Sequence, residues 1–152
     1  MIETLLLKIK NTFRKVNIKL RNKWCKGYKL PKNVQYFEGS LYDAVFESAL
    51  KYPLNVAVEY QNTQISYKQL IKRINRCAKA LKYYGVKKGD RVTICMPNTP
   101  EEVVMFYAIN EVGAVANMIN HLSSEKEIEY YLNKSNTKLM LCIDITYKKV
   151  KN

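Results

Sequence analysis

Along residues 1–30 the apolar positions Ile2, Leu6, Ile9, Phe13, Val16, Leu20 and Trp24 recur at steps of four or three. That spacing lines side chains along one face of a helix. Lys8, Arg14, Lys15, Lys19, Arg21 and Lys23 fall mostly on the remaining faces, and Gly27 and Pro31 end the segment. The pattern predicts one basic amphipathic helix followed by a joint. From residue 36 the signals change. Ser40 with Asp43 predicts a capped helix start, running through Leu41, Val45, Phe46 and Leu50 and stopping before Pro53. Val56, Val58 and Tyr60 alternate with Ala57 and Glu59 as in a strand; Gln61-Asn62-Thr63 reads as a turn and Ile65 as the beginning of a short return strand. Ser66 and Gln69 form a capping box for a longer helix. Its stripe is Leu70, Ile71, Ile74, Cys77, Ala78, Leu81 and Tyr84, and Gly85 sits where a left-handed cap belongs.

Beyond Gly85 strands and helices alternate. Strands are predicted at Val92–Met96, Val115–Ile119 and Leu139–Ile143. Between the first two, Thr99-Pro100-Glu101-Glu102 combines a capping hydroxyl, a proline in the first turn and two acids at the positive end of the helix dipole. This helix runs to about Val112, and Gly113 closes it. Ser124 with Glu127 opens another, through Ile128, Tyr131 and Leu132, and Thr146 marks the start of one more. The alternation predicts an α/β fold with a parallel sheet built from βαβ crossovers. Right-handed crossovers winding in one direction place their helices on one face of the sheet. The helix from Pro100 to Val112 is apolar on more than one side, so cover from outside these residues is expected for the other face. An irregular small α/β domain or a covering dimer is the alternative.

Composition narrows the class. The chain has 152 residues, of which 47% are hydrophobic, with only four Pro and five Gly, as in a globular domain. The net charge of +13 is concentrated at the start: residues 1–35 carry ten Lys or Arg against Glu3 alone, leaving +4 for the remaining 117. Cys25, Cys77, Cys95 and Cys142 are far apart with no C-x-x-C pair, so neither zinc nor a disulfide framework is expected. Reduced thiols fit a cytoplasmic protein. No apolar run reaches the roughly 18 residues that span a bilayer, and Lys8, Lys10, Arg14 and Lys15 interrupt any secretory pattern.

Five segments, in order, resemble the beginning of the large N-terminal domain of adenylate-forming (AMP-binding) acyl-CoA synthetases. They are Ile65-Ser66-Tyr67-Lys68-Gln69-Leu70, Gly85-Val86-Lys87-Lys88-Gly89-Asp90-Arg91-Val92, Met96-Pro97-Asn98-Thr99-Pro100-Glu101, Ala108 to Val115, and Ser124 to Leu132. The resemblance covers about residues 41–144. The chain thus reads as two parts: a basic helical arm over 1–30, outside the resemblance, and over 36–152 what the resemblance implies is the first part of that domain. Where Asn120-His121-Leu122 stands, the family usually carries a proline.

The resemblance implies an acid–CoA ligase that uses ATP, magnesium and coenzyme A to join a carboxylate, a fatty acid for preference, to CoA through an acyl-adenylate. It also implies that the phosphate loop, the adenine-binding motifs and the catalytic lysine lie beyond residue 152. The five glycines present are single and widely spaced, so no nest of amides for phosphates is expected. No catalytic, cofactor or metal residue is therefore assigned, and the chain alone is expected to be inactive. His121, the only histidine, has no nucleophile or metal ligand beside it in the sequence and reads as a loop residue. Tyr67, Tyr83, Tyr84, Tyr130 and Tyr131 read as core or interface rather than ligand lining.

The expected partner is the remainder of the ligase or another chain that supplies it. For the arm, the candidate contacts with an anionic membrane are Leu6, Ile9, Phe13, Val16, Leu20 and Trp24 on the apolar side and Lys8, Lys15, Lys19 and Lys23 on the basic side. This would place the protein in the cytoplasm, peripheral at the inner membrane face. Docking of the arm on its own protein or a partner stays open, as does a non-catalytic α/β module using the arm for attachment. Nucleic acid is not expected, since an apolar stripe has no use on a duplex and no binding motif accompanies the charge.

Overall fold

The structure is a computed structural model and describes residues 36–150; the basic segment 1–30 lies outside them. Helix α1 (Leu41–Lys51) begins at the foreseen capping box: Ser40 Oγ accepts from Asp43 N at 3.1 Å and Asp43 Oδ2 accepts from Ser40 N at 2.8 Å. Strands β1 (Val56–Tyr60) and β2 (Thr63–Ser66) pair antiparallel, with Tyr60 opposite Thr63. Gln61 and Asn62 both have positive φ, 45° and 63°. Two left-handed residues match the twist of a tight hairpin, so the turn takes two residues and Thr63 belongs to the strand.

Helix α2 (Tyr67–Tyr83) starts at the Ser66–Gln69 box and buries Leu70, Ile74, Ala78 and Leu81. At its end Gly85 N donates to Lys82 O and Val86 N to Leu81 O, both at 3.0 Å, with Gly85 at φ 79°. Leu81 and Val86 are both buried at this stop, so the cap brings two core residues together. The following elements are β3 (Arg91–Cys95), α3 (Pro100–Val112), β4 (Val115–Met118), α4 (Glu125–Ser135), β5 (Leu139–Cys142) and α5 (Asp144–Val150). Helix α5 begins at Asp144, two residues earlier than its expected start, and Thr146 is buried within it. The hydroxyl of Thr99 makes no capping hydrogen bond. The start of α3 rests instead on Pro100 and on Glu101 and Glu102 in its first turn.

Strand order corrects the expectation that the helices share one face. The parallel sheet runs β4-β3-β5, so the connection after β4 crosses back over β3. Reversing the direction of a right-handed crossover moves its helix to the opposite face. Side chains agree. Val92 and Ile94 of β3 join Leu70, Ile74, Val104, Ala108 and Ile109 in one apolar core beneath α2 and α3. Thr93, between them, points the other way: its Oγ1 lies 2.6 Å from Thr137 Oγ1 and accepts from Asn117 Nδ2 at 2.9 Å. Asn117 also donates to Ser135 Oγ at the end of α4, at 3.1 Å. Helices α4 and α5 thus cover this second face, with Ile128 and Thr146 buried. The sheet is the middle of three layers, and cover for its second face comes from within the chain.

Candidate functional site

The segment from Gly85 to Val92 is the most connected part of the fold. Asp90 Oδ2 accepts from Lys87 N and from Lys138 Nζ, each at 2.7 Å, and Lys138 Nζ reaches Gly85 O at 2.6 Å. Gly89 N donates to Gly113 O, Val115 N to Asp90 O and Lys138 N to Arg91 O. The end of α2 and the starts of β3, β4 and β5 are therefore tied at one turn. The turn needs Gly89 at φ 85°, where a side chain would be strained. This motif is a structural clamp. Lys138 was not singled out in the sequence; one lysine among many carries no signal until β5 pairs with β3.

The Lys138 ammonium first, and the Lys87 amide second, hold the Asp90 carboxyl below the usual carboxylate range. A depressed folded-state pKa adds stability above the unfolded value of roughly 3.9, and that stability is lost as pH falls through the folded pKa. Asp90→Asn is therefore expected to flatten the acid limb of the stability curve below about pH 4. Urea midpoints measured at neutral and acid pH check this; a variant with an unchanged slope would remove Asp90 from the account.

Two open grooves flank α3. One, of about 370 Å³, lies against α2 and is lined by Arg73, Arg76, Cys77, Ala80, Glu101 and Met105, among others. The other, of about 300 Å³, lies by β4 and is lined by Glu102, Val103, Phe106, Tyr107 and Met118. Both are mainly apolar. Burial pushes the Glu102 carboxyl up, while His121 pulls it the other way. His121 lies in the loop after β4. In that loop Asn120 Oδ1 accepts from Leu122 N at 2.9 Å, a side-chain turn that holds the backbone.

Among the described residues, no glycine with positive φ offers a free amide to a phosphate. Each glycine with positive φ commits its amide to a backbone carbonyl: Gly85 to Lys82, Gly89 to Gly113 and Gly113 to Asn110. Lys138 and Lys82 are paired with Asp90 and Glu111. Among the described residues no three His, Cys, Asp or Glu side chains come together as a metal site, and no helix is long and apolar enough to cross a membrane. Tyr83, Tyr84 and Tyr130 are strongly exposed, Tyr131 less so, and Tyr67 is half-buried. Of the two expected roles, core or interface, their exposure removes the core for Tyr83, Tyr84, Tyr130 and Tyr131. Tyr83 and Tyr84 stack edge to face, as do Tyr130 and Tyr131. Leu6, Lys8, Ile9, Phe13, Lys15, Val16, Lys19, Leu20, Lys23 and Trp24 lie outside the described residues.

Residues 45–152 match the AMP-binding enzyme family. That is more than half of the chain, and the chain belongs to this family. It is 26% identical over 110 residues to a long-chain-fatty-acid–CoA ligase of Bacillus subtilis, covering 72% of this chain and 20% of that one. An acetyl-coenzyme A synthetase of Penicillium chrysogenum is 38% identical over 96 residues, covering 57% and 14%. Among solved structures, the inhibitor-bound N-terminal domain of FACL13 from Mycobacterium tuberculosis superposes with a TM-score of 0.71 at 29% identity, covering 75% of this chain and 29% of that one. An artificially fused adenylation–PCP di-domain from Klebsiella oxytoca gives 0.69 at 26% identity, covering 73% and 21%. The fold is the first part of the N-terminal domain of adenylate-forming enzymes, and the chain spans about one fifth or less of the length of these curated relatives.

Proposed function

We propose that these residues are the opening scaffold of an AMP-forming acid–CoA ligase, with a fatty acid as the favoured substrate class. The reading rests on the unbroken match from residue 45 to 152 together with relatives that bear CoA-ligase names. In it, the α2–β3–α3 core supports a substrate site completed by further chain, and ATP, magnesium and CoA are bound by residues other than these. The 152-residue chain by itself makes no acyl-adenylate. Purified chain incubated with ATP, magnesium and a fatty acid is expected to give no acid-dependent exchange of pyrophosphate into ATP. Exchange above the level without acid would overturn this.

Attachment to an anionic membrane through residues 1–30 is the part of the proposal that needs no further chain, and it places the protein peripherally at the cytoplasmic face of the inner membrane. The spacing of Leu6, Ile9, Phe13, Val16, Leu20 and Trp24, with lysines off the stripe, supports it. Each basic residue near an anionic surface contributes on the order of 1 kcal/mol. Replacing Lys8, Lys15, Lys19 and Lys23 by Glu is expected to abolish flotation with phosphatidylglycerol vesicles. Retained flotation would place the attachment elsewhere.

A further inference from the structure

Two of the four cysteines, 47 residues apart in sequence, meet in the sheet. Cys95 and Cys142 are the last residues of β3 and β5, and they are direct partners in the parallel ladder. Partners in a ladder project to the same face. For this pair it is the face of Thr93, since Cys95 follows Thr93 by two residues. Adjacent strands lie roughly 4.7–4.9 Å apart, inside the roughly 4.4–6.8 Å between Cα atoms that a disulfide bridges. Both residues close their strands, so the ladder beyond them does not resist the small approach that bonding the sulfurs needs. Cys95 is fully buried and Cys142, on an outer strand of the described sheet, is half-buried. Their surroundings are compatible with a sulfur pair: the Cys95 thiol lies 3.9 Å from Asn120 O, and the buried Thr146 hydroxyl stands beside the same thiol.

We propose that Cys95 and Cys142 form a redox modification site, closing to an intramolecular disulfide when a peroxide reaches the outer strand. Cys142 is the entry point because it retains exposure. Its thiolate attacks one peroxide oxygen and the O–O bond breaks, leaving a sulfenic acid on Cys142 and, from hydrogen peroxide, one water after protonation. The Cys95 sulfur then attacks the Cys142 sulfur and a second water leaves. Two thiols lose two electrons and two protons, and one peroxide becomes two waters. The bond would staple β3 to β5 at their carboxyl ends. Cys77 has no part in this, since it lies in the groove between α2 and α3 on the opposite face. Burial pushes the Cys95 and Cys142 thiols up, and the Asp144 carboxylate adds to the effect at Cys142. The reaction is therefore best followed at alkaline pH, where more thiolate is present.

The test uses the full chain, reduced and then treated with hydrogen peroxide, with free thiols counted and non-reduced tryptic peptides identified by mass spectrometry. The expected result is loss of two of the four thiols in a monomeric product, with peptides 92–126 and 139–148 joined. Cys142→Ser should abolish the joined peptide, and Cys77→Ser should leave it intact. Treatment in denaturant should spread the pairings over all four cysteines, so enrichment of the 95–142 pair in the folded chain reports the sheet geometry. Oxidation of Cys142 to the sulfinic acid with Cys95 still a free thiol would overturn the proposal. So would pairing mainly between chains, or the same mixture of pairs in folded and denatured protein.

Discussion

Ile109→Ala is expected to lower the stability of the domain by about 2–5 kcal/mol, the range for removing most of a buried isoleucine from a core that relaxes only in part. Ile109 is fully buried on α3 within the cluster that joins α2, α3 and β3. Its carbonyl also receives Ala114 N at 3.0 Å, in the cap that turns the chain into β4. The backbone bond survives the substitution, so the loss reads side-chain packing alone. Urea unfolding followed by far-UV circular dichroism measures it; a change below about 1 kcal/mol would mean that α3 is not seated in a close-packed core.

Ile128→Ala is expected to cost a similar amount, about 2–5 kcal/mol, although it touches a different layer. Ile128 is fully buried on α4, outside the cluster that contains Ile109. If the two helices lie on opposite faces of the sheet, the substitutions share no partner, and their effects should add within about 0.3–0.5 kcal/mol in the double variant. Residues packed in one shared core would instead show a coupling of up to about 3 kcal/mol. The double-variant cycle thus measures the layering itself.

Local signals were legible before the fold was known. The three capping boxes, Ser40 with Asp43, Ser66 with Gln69 and Ser124 with Glu127, form as their spacing predicts, because a capping box is closed by residues three apart. The glycine stops at Gly85 and Gly113 follow for the same reason. Thr99 shows the limit of such rules, since a suitable residue in a suitable place leaves its hydroxyl out of the cap. Strand order was not legible. Whether β5 lands beside β4 or beyond β3 is decided by pairings tens of residues apart, and the error about helix faces came from that one unknown. Long-range polar ties were hidden likewise. Asn110 Oδ1 caps Tyr42 N across 68 residues, and Tyr42 Oη donates to Asn75, yet none of these residues stands out in its own neighbourhood. For function, the family was legible because its segments are collinear. Their physical role as a clamp around Asp90 and Lys138 was visible only in three dimensions.

The central position of β3 has a consequence for synthesis on the ribosome. Both of its neighbours, β4 and β5, are made after it, so the nascent chain carries a largely buried-to-be strand with two open edges. The second edge stays open until Cys142 has followed Cys95 out, 47 residues later. At about 5–20 residues per second this interval lasts roughly 2–10 seconds. During that time the backbone N–H and C=O groups along that edge of β3 are available to chaperones or to neighbouring nascent chains. Slow codons between residues 96 and 142 would lengthen the exposure and lower the yield of folded protein without changing one amino acid.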